Sequence, residues 1–116
     1  MQNITQDTFD ETVATGLVLV DFWAGWCNPC KAMLPILQHV EDTYKDYLSV
    51  VKVDADQNAD LVERYEVSSI PTMILFKNGE IMWTLTGAKP FDMLQQKITP
   101  YLWFRKKLKS VPRFGQ

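Results

Sequence analysis

Apolar positions along the chain change their period several times, and each change marks an element. Leu17-Val18-Leu19-Val20-Asp21-Phe22 is a nearly unbroken apolar run, the pattern of a strand buried on both faces, with Asp21 as its one interruption. From Cys30 onward the apolar residues are Met33, Leu34, Leu37, Val40, Tyr44 and Tyr47. Steps of three and four predict a long helix with one buried stripe. Pro35 lies inside it and predicts a kink. Val50, Val51 and Val53 predict a second strand, and Asn58 a cap for a short helix reaching Tyr65. Pro71 precedes a third strand over Thr72 to Lys77. Asn78-Gly79 is a hairpin turn leading to a fourth strand, Glu80 to Thr86. Thr5, followed by Asp7, Asp10 and Glu11, predicts the cap of a first helix. Pro90 suits the first position of a last helix.

The order β-α-β, helix, hairpin, helix mixes a crossover that favours parallel pairing with a turn that enforces antiparallel pairing. Both are accommodated by an α/β fold with a central mixed sheet and helices on both faces.

Composition adds boundaries. At 116 residues, 47% hydrophobic and 22% charged, the chain makes one globular domain. No stretch approaches the roughly 18 apolar residues of a membrane helix. Met1-Gln2-Asn3-Ile4-Thr5 has neither the basic nor the apolar region of a secretory leader, so a cytoplasmic location is expected. Residues 1–104 hold seven basic and fourteen acidic residues, whereas 104–116 hold five cations and no anion. An acidic body argues against nucleic acid as a partner of the domain.

The candidate chemistry lies in Trp26-Cys27-Asn28-Pro29-Cys30, which contains both cysteines of the chain. Two cysteines this close cannot staple distant parts of a fold. Between a strand and a helix they can form and break a disulfide while the fold stays put. Only a thiolate exchanges disulfides, and a free cysteine with pKa about 8.5 is mostly thiol at neutral pH. Cys27 falls at the N-terminus of the long helix, where unpaired N–H groups and the helix dipole favour an anion. Cys27 is therefore the expected nucleophile. Cys30, one turn inward and expected to be more buried, is the expected resolving thiol, with Pro29 stiffening the turn between them. The competing reading is a zinc site, which needs about four ligands. His39 is the one further strong candidate, and its helical angle points it away from Cys30 to solvent.

Asp21 admits two readings: a buried acid–base group with raised pKa that takes the Cys30 proton, or a hydrogen-bonded structural aspartate. The residues alone favour the second. Lys52 interrupts its own apolar run and either faces Asp21 across the sheet or points to solvent. Trp23, Trp26 and Gly87, on their own, are core aromatics and a turn glycine.

These elements together resemble the thioredoxin family. Asp21-Phe22-Trp23-Ala24-Gly25-Trp26-Cys27-Asn28-Pro29-Cys30-Lys31 is similar to the family's active-site signature. Pro35, Val53-Asp54 with Asp56, Ile70-Pro71-Thr72, Phe76-Lys77-Asn78-Gly79 and Gly87 follow at family spacing. The resemblance covers roughly residues 1–103, a thioredoxin domain, and leaves 104–116 as a basic C-terminal extension. It implies a monomeric protein-disulfide reductase with no bound cofactor or metal, its Cys27–Cys30 dithiol reducing disulfide-containing target proteins and renewed by a separate NADPH-dependent thioredoxin reductase.

It implies that Asp21 is the buried acid–base group, reversing the preference above, with Lys52 its neighbour. Pro71 would be the family's cis-proline, Ile70 would pair with substrate as an added strand, and Trp26, Asn28, Pro29, Gly87 and Ala88 would border the groove. Two other readings remain open from the residues: a more oxidising disulfide oxidase or isomerase, and a thioredoxin-like module that binds without turnover. Asn28 stands where the family usually has glycine, and Ser68 where many members have arginine, a position tied to docking of the reductase. In the extension, Tyr101, Phe104, Leu108 and Val111 have helical spacing with cations between them. Packing of that stripe on the domain is favoured over a membrane-surface anchor.

Overall fold

The computed structural model describes the backbone of residues 1–114 and the side chains of residues 1–102. Its organising element is the apolar run predicted as a doubly buried strand, β2 (Leu17–Trp23). It is the middle of five strands: β1 (Gln2–Asn3), β3 (Leu48–Asp54), β2, β4 (Thr72–Lys77) and β5 (Glu80–Thr86), in that spatial order. β1 and β3 run parallel to β2's direction, and β4 and β5 complete the sheet in antiparallel pairing. The mixed sheet expected from the crossover and the Asn78-Gly79 turn is present. Asn78 and Gly79 both take positive φ, 49° and 85°, as a two-residue hairpin of type I′ requires. The Asn78 Oδ1 accepts a hydrogen bond from the Gly16 N–H at 2.8 Å, tying the hairpin to the start of β2.

Alternation along the strands sorts side chains into two layers. Val18, Val20, Phe22, Val51, Val53, Ile74 and Phe76 form one face, covered by Phe9 and Val13 of α1 (Phe9–Val13) and Leu61 of α3 (Ala59–Arg64). Leu17, Leu19, Leu48, Val50, Met73 and Leu75 form the other, covered by Met33, Leu37 and Val40 of α2 (Asn28–Thr43) and Leu94 and Ile98 of α4 (Phe91–Phe114). Removing one fully buried aromatic such as Phe22 or Phe76 costs about 3–5 kcal/mol at such positions. Asp21 is odd-numbered, so it sits on the α2 face.

Several details differ from the sequence expectations. β1 is two residues long, too short for a periodic signal. Thr5 does not cap α1: its Oγ1 accepts from the Asp7 N–H in a preceding turn, and α1 begins after Thr8. Leu34 lies outside the α2 stripe and is 36% exposed. α2 ends at Thr43, with Tyr44 as its C-cap and Tyr47 in the following turn. The helix runs through Pro35 without a break. Asn58 is the N-cap residue of α3 but makes no side-chain cap; its amide accepts from Gln6 N–H and donates to the Asp54 carbonyl instead. Pro90 precedes α4, and its carbonyl accepts from the Met93 and Leu94 N–H groups, so it caps the helix rather than opening it. α4 is continuous through Thr99-Pro100 to Phe114. Tyr101 and Leu102 pack on the core of the α2 face, and the side chains of Phe104, Leu108 and Val111 lie outside those described.

Candidate active site

The carboxyl end of β2 turns into α2 within four residues, and that turn carries the cysteines. Cys27 is the N-cap of α2, with extended backbone (φ −92°, ψ 107°), and Asn28 and Pro29 open the helix. Pro29 is well placed there, because its missing N–H has no partner to lose. Cys27 Sγ accepts a hydrogen bond from the Cys30 N–H at 3.1 Å, so the sulfur does the work of a capping side chain. The two sulfurs are joined as a disulfide, with Cα atoms 5.2 Å apart. A thiolate at Cys27 would inherit the same N–H donor and the positive end of a 16-residue helix.

The expected difference in burial between the two cysteines is not seen: Cys27 is 3% exposed and Cys30 2%. Their surroundings differ instead. Cys27 Sγ lies 3.8 Å from the Ile70 carbonyl oxygen. Cys30 belongs to the helix stripe that continues into Met33, Leu37 and Val40. Both cysteines and Ala24 form a small apolar cluster bordered by Trp23 and Ile70.

The Ile70-Pro71 peptide is cis. The Pro71 carbonyl accepts from the Gly87 N–H at 2.8 Å, which fastens the loop after β5 to the start of β4. Gly87 takes φ +92°, a conformation glycine reaches without strain. Ile70, Pro71 and Gly87 thus gather beside Cys27, with exposed Ala88 following. Asn28 is exposed, and its side chain has no hydrogen-bond partner among the described residues. Trp26 is 69% exposed, and its indole N–H donates to Asp56 Oδ2 at 2.9 Å.

One layer down, Asp21 has no exposed surface, and neither carboxylate oxygen has a hydrogen-bond partner among the described residues. The reading of Asp21 as a hydrogen-bonded structural residue required such a partner. Burial pushes its carboxyl from the ordinary 3.8 up to about 7, and the Lys52 ammonium draws it back in part. Lys52 is the register partner of Asp21 on the parallel strand, so both side chains leave the same sheet face. Its Nζ lies 5.0 Å from the centre of the Trp23 ring, a cation–π contact. A pocket of about 290 Å³ between Trp23, Leu34 and Lys52 reaches Cys30. Asp21 and Lys52 therefore belong to the inner side of the cysteine pair, and Trp26, Ile70, Pro71 and Gly87 to its outer side.

No group of three or more His, Cys, Asp or Glu side chains arranged for a metal ion occurs among the described residues. His39 is exposed and stacks on Phe91 with ring centres 3.9 Å apart. No described helix is long and apolar enough to cross a membrane. The Trp26–Asp56 bond has no local signal in the sequence, since thirty residues separate its partners. Val62 and Val67, which line the outer side beside it, read in the sequence only as helix and loop residues.

Comparisons with known proteins agree with this geometry. The thioredoxin family model matches residues 1–100. Bacillus subtilis thioredoxin is 40% identical over 98 residues, covering 84% of this chain and 94% of that protein. Listeria monocytogenes thioredoxin is 37% identical over 102 residues, covering 88% and 99%. A solved structure of Plasmodium falciparum thioredoxin superposes with a TM-score of 0.80 at 35% identity, covering 87% of this chain and 99% of that one. With its fold, its Cys27–Cys30 disulfide at a helix N-terminus and these relatives, the chain belongs to the thioredoxin family of thiol–disulfide oxidoreductases.

Proposed function

We propose that Cys27 is the attacking and Cys30 the resolving thiol in the reduction of target protein disulfides. The observation that carries this assignment is the place of Cys27 Sγ: on the α2 N-terminus, held by the Cys30 N–H, and 3.8 Å from the Ile70 carbonyl on the outer side. In the reduced protein the Cys27 thiolate attacks one sulfur of a target disulfide. A Cys27–target disulfide forms, and the second target sulfur leaves as a thiolate that takes a proton from solvent. Cys30 then gives its proton to the Asp21 carboxylate, and its thiolate attacks Cys27 Sγ. The Cys27–Cys30 disulfide forms and the first target sulfur leaves. The target gains two electrons and this chain loses two.

Asp21 suits the proton-accepting role because a carboxyl titrating at about 7 can hold and release a proton near neutral pH. Lys52 tunes it. The substrate backbone pairs with Ile70 as an added strand, bordered by Trp26, Asn28, Pro29, Pro71, Gly87 and Ala88. A separate NADPH-dependent thioredoxin reductase returns the electrons, in the cytoplasm. The catalytic domain is residues 1–103. The family model ends at residue 100, α4 runs on to Phe114, and residues 104–116 are in sequence a basic extension.

The test is insulin disulfide reduction with dithiothreitol as electron source. Cys27→Ser abolishes activity and forms no adduct. Cys30→Ser accumulates a Cys27–target mixed disulfide visible by mass. An adduct formed through Cys30 in the Cys27→Ser protein would reverse the assignment.

A further inference from the structure

A second feature of the outer side is a pocket of about 450 Å³ lined by Trp26, Ala55, Asp56, Val62, Val67, Ser68, Ser69 and Ile70. It adjoins the reacting sulfur through two of its walls: Trp26 precedes Cys27 in sequence, and the Ile70 carbonyl lies 3.8 Å from Cys27 Sγ. Its apolar part is Ala55, Val62, Val67 and Ile70, and among the described residues Asp56 is the one charged group that lines it. The indole of Trp26 stands 69% exposed along it, fixed by its bond to Asp56 Oδ2.

This set of surfaces matches one kind of side chain. Lysine and arginine carry an apolar stem with a cationic head. The stem fits the valine and isoleucine wall, the head meets the Asp56 carboxylate, and the indole face offers a cation–π contact. The neighbourhood has the same sign. Residues 54–71 carry Asp54, Asp56, Asp60, Glu63 and Glu66 against Arg64 alone. That arginine is turned onto the body: its guanidinium bonds Asp10 at 2.6 Å and lies over the rings of Phe9 and Tyr65. Ser68 and Ser69 add hydroxyls and no positive charge.

We infer that this pocket is a specificity subsite that receives a lysine or arginine side chain of the target next to the disulfide under attack. Targets with a cation flanking the reactive cysteine are then reduced faster than otherwise equal targets with a carboxylate there. The inference rests on the disulfide-reducing function and adds to it a preference of charge.

The experiment uses the reduced full chain and three synthetic disulfide peptides that differ in one residue beside the attacked cysteine: Arg, Gln or Glu. The second-order rate constant of reduction is followed by tryptophan fluorescence. The expected order is Arg, Gln, Glu, with about a tenfold spread at low salt that shrinks at 0.5 M NaCl, as for partly exposed charge pairs. Asp56→Asn keeps an oxygen for the Trp26 indole and removes the charge; the spread falls to about threefold or less. Ser68→Arg places a cation at the rim and inverts the order. Glu80→Gln, a charge removal at the far hairpin, leaves the spread as it is. Equal rates for the three peptides in the unmodified protein, or an unchanged spread in both Asp56→Asn and Ser68→Arg, would overturn the subsite. Failure to reduce even the Gln peptide would instead overturn the reductase function on which it rests.

Discussion

Asn58, on the α3 side of the sheet, and Asp21, on the α2 side, are both polar and both buried, at 3% and 0% exposure. Their surroundings are opposite. The Asn58 side chain accepts from the Gln6 N–H at 3.0 Å and donates to the Asp54 carbonyl at 2.9 Å, so it joins the chain after β1 to the end of β3. The Asp21 carboxylate accepts nothing from any described residue. A buried polar group normally finds partners, because leaving it without them costs about 1–3 kcal/mol or more. Asn58 follows that rule and has a structural role. Asp21 breaks it beside a redox-active disulfide, and the cost appears as a carboxyl that holds its proton up to about pH 7. In the proposed mechanism the contrast separates a residue that serves folding from one that handles a proton.

The largest expected effect is on the pH dependence of stability. Asp21 has a folded pKa of about 7 against 3.8 as its ordinary value. Well below pH 3.8 it is protonated in both states and costs nothing. Between 4 and 7 only the unfolded chain releases the proton, so stability falls as pH rises, and the full penalty persists above 7. About three pK units correspond to about 4 kcal/mol. Asp21→Asn removes this term: measured by urea denaturation of the oxidised protein, the stability of the variant relative to the original rises by about 4 kcal/mol between pH 4 and pH 8. A difference that stays constant with pH would place Asp21 in the same class as Asn58.

Asn58→Ala is the converse. It strands the Gln6 N–H and the Asp54 carbonyl and costs about 2–3 kcal/mol, equally at pH 4 and pH 8. Its disulfide-reducing activity at 25 °C stays within about twofold of the original, because Asn58 touches neither cysteine nor Asp21. A loss of activity larger than the loss of folded protein would break the division. A smaller effect is expected at Thr72, buried in β4 with its hydroxyl donating to the Ser69 carbonyl at 2.5 Å. Thr72→Val costs about 1 kcal/mol in the same denaturation experiment, since the freed carbonyl lies in an exposed loop residue.

Much of this was legible in the residues. The apolar run of β2, the 3-4 stripe of α2 and the Asn78-Gly79 turn each carry a strong local signal, and together they imply the mixed sheet. Cys27 and Cys30 announce themselves by spacing and by position before a helix. What stayed hidden depends on distant partners. The residues alone favour a hydrogen-bonded Asp21, and only the folded sheet shows both carboxylate oxygens without a hydrogen-bond partner among the described residues. Asn58 reads as a helix cap, yet its amide goes to Gln6, fifty-two residues away. Cys30 was expected to be deeper than Cys27, but the disulfide and the Ile70–Pro71 loop bury both. Trp26 reads as a core aromatic on its own and is instead exposed, held by Asp56. β1 carries too few residues for any period to register.

Transfer of the Cys30 proton to Asp21 as the mixed disulfide resolves is read from the rate of that step. A preformed Cys27–target disulfide is released in single turnover from pH 5 to pH 9, in the original protein and in Asp21→Asn. The expected rate in the original rises to a plateau near pH 7, and the variant is roughly 10²-fold slower at pH 7, with a rate that keeps rising toward pH 9 as the thiol ionises unaided. Matching rates and matching pH profiles for the two proteins would contradict it.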